Sequence, residues 1–375
     1  MVENCRMPFK LLSAEFNLGS APKRVSVVCS LTLAFLLHSM PAQGLAGNGR
    51  SFVIVFLPQQ IDRSGDERRD LLAGSRPNGQ DDATLFSQVD SDIAGRKLDE
   101  AEALLQVHLR LRPDSAGTLY RLGRVYFDRH AWDRSADFLQ HSLKIDSHND
   151  RAHLILGLDY FQLNRLEEAG RELLIAVKLN PQSDENQYMA GRYFFTKSKR
   201  TEALAFFYQA VRLNPQNFKV HHSLGLCFAN LGNYALAEKY YKQAIELAEK
   251  QNIKFQQGYL DLADLLTGIE SAKVPEGEIF ARRAAELSPD SSEAHYFVGK
   301  ALFREGKRTE AIPELLRSVN LDAKDTKPHF LLAKIYQKMG REAEAKAEYE
   351  TFRQLMKLQT ERGQTPSSRG LLPVH

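Results

Sequence analysis

The residues of this chain best suited to chemistry form a recurring triplet. Tyr120, Arg124 and Phe127 stand at i, i+4 and i+7, which puts all three on one stripe of a helix. Tyr188, Arg192 and Phe195 repeat the pattern, as do Tyr296, Lys300 and Phe303, and Leu154, Leu158 and Phe161 form an apolar version. Arg304, Lys334 and Lys338 add positive charge further along. A guanidinium can hold a carboxylate through two parallel hydrogen bonds, and a tyrosine ring buries area at low entropic cost. The chemistry expected of such stripes is recognition: capture of an extended segment with apolar and acidic side chains.

Groups for bond making are missing. There is no phosphate-cradling GxxxxGK[ST], no GxGxxG opening a helix after a strand, and no GxSxG elbow. His141, His148 and His153 lie near one another and His221 adjoins His222, but none has the carboxylate or Cys partners that helical metal sites use. Core or surface histidines are expected, with no catalytic residue, no metal and no cofactor. Of the three cysteines, Cys5, Cys29 and Cys227, no two form a CxxC pair, and Cys227 reads as a small buried thiol. The 375 residues carry 50 Lys+Arg against 47 Asp+Glu, a formal charge of +3, with 43% hydrophobic residues. That balance excludes a disordered chain and a strongly basic nucleic-acid binder, so no nucleic-acid partner is expected.

The elements that must position the stripes come from a repeat. Leu-Gly or a near equivalent recurs at Leu122-Gly123, Leu156-Gly157, Ala190-Gly191, Leu224-Gly225, Val298-Gly299 and Leu332-Ala333, 34 residues apart except for one interval of 74. Three residues after the glycine comes a large residue (Tyr126, Tyr160, Phe194, Phe228, Leu302, Tyr336). Twelve after it comes a small one (Ser135, Ala169, Ala203, Ala237, Ala311, Ala345). Four further on the residue is large again, from Leu139 and Leu173 to Phe207, Tyr241, Leu315 and Tyr349. Units often close on proline, as at Pro113, Pro181, Pro215 and Pro289. Apolar residues at three- and four-residue spacing predict two short amphipathic helices per unit, and no such unit can bury its apolar face alone. Neighbours must stack.

These columns resemble the tetratricopeptide repeat, W-x2-L-G-x2-Y, then A-x3-F, then P, and Leu156-Gly157-x2-Tyr160 with Ala169, Leu173, Ala176 and Pro181 is the best copy. The resemblance implies an all-α, right-handed helix-turn-helix solenoid of about eight repeats over residues 83–359. A partial unit with Gly95, Ala101, Leu105 and Pro113 covers 83–115, and full units cover 116–149, 150–183, 184–217 and 218–251. An irregular unit follows at 252–291, with Ala263 in the glycine column and a long connection at 269–277, then units at 292–325 and 326–359. It also implies a concave groove, lined by the first helix of each unit, that takes a protein or peptide partner. Members that clamp chaperone tails carry Lys-x3-Asn on the first helix of the clamp. Tyr120–Arg124 and His222–Leu226 stand at that spacing here, so that ligand is not expected.

Before the array, Lys23 and Arg24 precede the apolar run Val25–Leu37, long enough for a secretory signal and too short to span a bilayer. A signal peptide over 1–46 is expected, cut after Ala46 with Ala42 as second choice; an uncleaved interfacial anchor is the alternative. Residues 47–82 read as an apolar segment (51–58) and a linker, and 360–375 as a disordered tail. The expectation is a periplasmic or secreted, bacterial, non-catalytic scaffold with no spanning segment once the signal is removed. A second reading is an accessory subunit of an envelope polysaccharide or secretion assembly that binds glycan or a complex component.

Overall fold

The computed structural model describes residues 79–269 and 273–361. The chain divides into two units, 1–73 and 74–375, and every described residue lies in the second. The expected signal, the 51–58 segment and its linker up to residue 78, residues 270–272 of the long connection, and the tail from 362 lie outside the described residues.

Sixteen α-helices, in eight antiparallel pairs, account for the regular structure of the described residues. The first pair is α1 (Gly79–Ala94) and α2 (Leu98–Leu111). Then come α3 (Ala116–Asp128) with α4 (Trp132–Ile145), α5 (Asp150–Gln162) with α6 (Leu166–Leu179), and α7 (Asp184–Thr196) with α8 (Arg200–Leu213). The array continues with α9 (Phe218–Asn230) and α10 (Tyr234–Lys250), then α11 (Gln256–Ile269) and α12 (Val274–Leu287). The last pairs are α13 (Ser292–Arg304) with α14 (Arg308–Leu321) and α15 (Thr326–Lys338) with α16 (Glu342–Glu361). The all-α repeat solenoid expected from the columns is the observed fold, and α16 runs two residues into the expected tail.

Local sequence explains the boundaries of the first helices. Ser115, Asn149, Ser183, Asn217, Ser291 and Asp325 cap the first helices of their units, each side chain accepting from a backbone N–H two or three residues on. At the other end the chain turns through the left-handed region at Arg96, His130, Asn164, Ser198, Gly232, Gly306 and Gly340, again one repeat apart within each run. The following N–H then bonds back to the carbonyl of the large residue three after the glycine, as Ala131 does to Tyr126 (2.9 Å) and Arg165 to Tyr160 (2.8 Å). One column thus fills the core and closes the helix.

Between paired helices the packing follows the glycine column. A Cβ added at Gly123, Gly157, Gly191, Gly225 or Gly299 would lie 2.5–2.8 Å from Leu139, Leu173, Phe207, Tyr241 or Leu315 of the facing helix. Those five large side chains are at most 2% exposed. The sixth unit keeps the complementarity with smaller parts, since Ala263 takes the glycine place and Ala281 the large one, both fully buried.

Two expectations shift. Gly95 is not in the glycine column of the first unit; Val89, one period before Gly123, is, and it is fully buried. The lengthening of the sixth unit is also split. The start of α11 follows that of α10 by 22 residues, where every other second helix is followed by the next first helix after 18. The start of α12 follows that of α11 by 18, where units two to five, seven and eight need 16. Most of the insertion therefore lengthens α10 and its turn, with Asn252 left-handed, rather than the connection at 269–277.

Candidate binding groove

First helices touch one another at most joints of the array, while successive second helices make no comparable contact. The first helices therefore form the inner face. On α3 the residues that are not buried are Ala116, Gly117, Arg121, Arg124, Phe127 and Asp128, and on α15 Lys327, Phe330, Lys334, Gln337 and Lys338 stand exposed. On α3 the open stripe thus keeps Arg124 and Phe127 of the predicted triplet, loses Tyr120 and adds Gly117, Arg121 and Asp128. Tyr188 instead packs beside Phe207 of its own unit's second helix, ring centroids 5.9 Å apart.

That placement decides the fate of the predicted residues. Tyr120, Leu158, Tyr188, Arg192 and Phe195, expected in the open groove, are only 3–8% exposed. Phe127 and Phe161 are half-buried and pack against the core. The C-terminal members stay accessible: Tyr296, Lys300 and Phe303 are half-buried, and Arg304, Lys334 and Lys338 are exposed. Sequence reasoning missed Arg121, and it missed Arg151, Glu185, Lys219 and Lys327, although the recurrence of 151, 185 and 219 one period apart and of Lys334 and Lys338 at i+7 and i+11 from Lys327 was readable.

The electrostatics of this face run along two rows. In the row just after the glycine stand Asp90, Arg124, Leu158, Arg192, Leu226, Asp264, Lys300 and Lys334. Asp90 accepts from Arg124 at 3.1 Å and from Arg121 at 2.7 Å, and Arg121 lies over Phe86, 4.0 Å from its centroid. Asp264 accepts from Lys300 at 2.5 Å. Arg192 has no such carboxylate: its Nη1 is buried without a hydrogen-bond partner, and its guanidinium carbon lies 5.8 Å from the Tyr188 ring centroid. Desolvation pulls the Arg192 guanidinium below its usual range, offset in part by Tyr188, and raises the Tyr188 phenol. Six residues before each glycine runs a second row that includes Arg151, Glu185, Lys219 and Lys327. Glu185 is solvent-exposed, yet the surrounding walls push its carboxyl up, with Arg151, Lys219 and Arg124 pulling the other way.

At the C-terminal end, Lys334 lies 4.3 Å from the Phe330 ring centroid and Lys338 5.2 Å from that of Phe303. Neither they, nor Arg304 or Lys327, form an ion pair among the described residues.

The histidines serve the fold. His153, His295 and His329 each meet a glutamate of the second helix, Glu172, Glu314 and Glu348, at 2.6–2.7 Å. His222 bonds the buried Asp261 at 2.7 Å. Among the described residues no group of three metal-ligating side chains comes together and no helix is long and apolar enough to cross a membrane. Cys227 is fully buried, which pushes its thiol up to about 12.

Tetratricopeptide repeat family models match residues 154–218 and 218–251, and a model of the bacterial transcriptional activator domain matches 261–369. No curated protein sequence matches the chain. Among solved structures, pilF of Pseudomonas aeruginosa is 20% identical over 59% of this chain and 98% of its own, with a TM-score of 0.51. The Cut9–Hcn1 hetero-tetramer of the APC/C is 16% identical over 78% of this chain and 57% of its own, also at 0.51. YrrB, described as a TPR protein with an unusual peptide-binding site, is 19% identical over 52% and 96%, at 0.43. At these identities the likeness is one of fold. The chain carries tetratricopeptide repeats, built into a solenoid of helix pairs.

Proposed function

We propose that the chain is a non-catalytic scaffold that binds an extended protein or peptide segment along its inner face. The observation that carries this reading is the basic surface of α13 and α15. Arg304, Lys327, Lys334 and Lys338 are exposed and unpaired there, two of the lysines against phenyl rings. Desolvating a lysine against an aromatic face strengthens its attraction for an acidic partner, and aromatic area anchors it. The test is fluorescence anisotropy with labelled peptide pools rich in Asp, Glu, Leu and Phe. Charge reversal at Lys334 and Lys338 should weaken binding at least about tenfold, while reversal at Lys346, exposed on the second helix α16, should not. Equal losses from both changes would sink the groove assignment.

We further infer that the protein is exported. The support is the basic pair Lys23-Arg24, the apolar run Val25–Leu37 and the small residues ahead of Ala46. Expressed from its full reading frame in a bacterium, the mature chain should begin at Gly47 in the periplasmic or secreted fraction. Recovery of a chain retaining residues 25–46 in that fraction would refute cleavage.

A further inference from the structure

We propose that the joint between the second and third units is a proton-operated hinge: it is closed while His153 and Asp159 hold their protons and opens as they release them, freeing the first two units to turn against the other six. This inference goes beyond the groove reading and does not depend on what the groove binds.

His153, on α5, is 7% exposed, and both of its ring nitrogens face acceptors. Nδ1 lies 2.6 Å from Glu172 Oε2 on α6, and Nε2 lies 3.2 Å from the Ser147 carbonyl in the turn after α4. A neutral imidazole has one N–H and can satisfy only one of these contacts, whereas an imidazolium satisfies both. The protonated ring staples the turn that enters the third unit to that unit's second helix. One period on, the fourth unit makes the same contact without a proton. Gln187 donates its amide to the Pro181 carbonyl at 2.9 Å, and Phe206 stands where Glu172 does. The seventh unit repeats the histidine, with His295 between Glu314 and the Pro289 carbonyl, but there Arg317 also donates to that carbonyl, at 3.2 Å. Burial pulls the basicity of His153 down, and Glu172 and the Ser147 carbonyl, with the charge of Asp146, more than offset it, so the ring is held above its ordinary 6.5.

Asp159 faces the same joint, six residues further along α5, and is fully buried. Burial holds its carboxyl up at about 8, with Ser135 of α4 pulling it down and the charge of Asp133, also on α4, pushing it further up. In an opened joint both groups meet water and return toward their ordinary values, 6.5 for the ring and 3.8 for the carboxyl. Both are raised in the closed joint, so the closed form binds protons more tightly. Its advantage is present in acid and is lost as pH rises through neutrality and past about 8.

The packing puts a dividing line at the same place. Buried apolar side chains from Leu154 on α5 to Ala345 on α16 form one continuous cluster, and those from Val89 to Tyr126 form another. Between them lies a small cluster that includes Tyr120, Leu139, Leu156 and Tyr160. On α4, Ser135 and Ser142 stand where α6, α8 and α10 carry alanines, and both hydroxyls donate back to α3, to the Gly123 and Ala116 carbonyls at 2.9 and 2.8 Å. They add nothing to the hold on α5.

The test is hydrogen exchange of the full chain between pH 6 and pH 9, with rates corrected for the chemical exchange of free amides. Protection of the amides of 147–160, relative to those of 181–194 in the fourth unit, should fall at least about tenfold over that range. In the double variant His153→Gln, Asp159→Asn the ratio should stay constant, because the glutamine can bond the turn as Gln187 does and the asparagine keeps the shape of the protonated acid. Nitrogen-15 spectra of the unaltered chain should show His153 still mainly as imidazolium at pH 7. The hinge is overturned if His153 is mainly neutral at that pH, if the double variant keeps the fall in protection, or if both segments lose protection together. Should the double variant fail to fold, the protection ratio and the imidazole spectrum of the unaltered chain decide the matter.

Discussion

Asp159 offers the sharpest test of how this solenoid is held together. It lies on α5, two residues after Gly157, where the other full units carry Val125, Tyr193, Cys227, Leu265, Ala301 and Ile335. Its side chain is fully buried and neither carboxylate oxygen has a hydrogen-bond partner. Ser135, across the joint on α4, donates its hydroxyl to the Gly123 carbonyl at 2.9 Å instead. Burial raises the Asp159 carboxyl from an ordinary 3.8 to about 8, with the nearby Ser135 hydroxyl pulling it down and the charge of Asp133 pushing it further up. The sign follows directly. Between those values the unfolded chain has released its proton and the folded chain holds it, so stability falls as pH rises through that window. At ~1.4 kcal/mol per unit, the loss between pH 4 and pH 7 is about 4 kcal/mol. Asp159→Asn keeps the shape of the protonated acid and removes the titration. Urea unfolding of both chains, followed by fluorescence of Trp132 at the start of α4, should give similar stabilities near pH 4. The variant should then be progressively more stable, by roughly 4 kcal/mol at pH 7. Parallel pH profiles for the two chains would refute the reasoning.

Other consequences follow from the packing. Gly157→Ala should destabilise the chain by about 1–3 kcal/mol, because its Cβ would meet Leu173 at 2.8 Å. Paired with Leu173→Ala, which alone should cost about 2–5 kcal/mol, the loss should fall short of the sum, since Ala263 and Ala281 form that pair naturally; an additive double variant in urea titration would contradict this. Ser183→Ala removes the cap on the Asn186 N–H and should cost about 1 kcal/mol in the same assay. The Cys227 thiol should resist a disulfide reagent at pH 8 in the folded chain and react fully in urea; fast reaction of the native chain would show the joint around α9 to be open.

Much of this architecture was legible in the residue columns. The predicted starts of the units at 116, 150, 184, 218, 292 and 326 are the observed first residues of α3, α5, α7, α9, α13 and α15. That register follows from contacts inside one unit: glycine against the large residue sixteen later, a polar cap before the first helix, a large residue whose carbonyl closes it. All of these partners sit at fixed short separations, so the chain spells them out. Contacts between units do not have that property. The rotation of each first helix against the next turned the open stripe away from Tyr120 and Tyr188, and the same geometry paired Arg124 with Asp90 while leaving Arg192 beside Leu158 and Leu226. Val89 in place of a glycine and the four residues added around α10 were likewise settled by neighbouring helices. The sequence by itself determined the repeat, its helices and their caps, because local spacing encodes them. Only the tertiary structure decided which cations face a carboxylate, which are buried alone and which remain open, because charge pairing across a joint depends on how one unit is turned on the next.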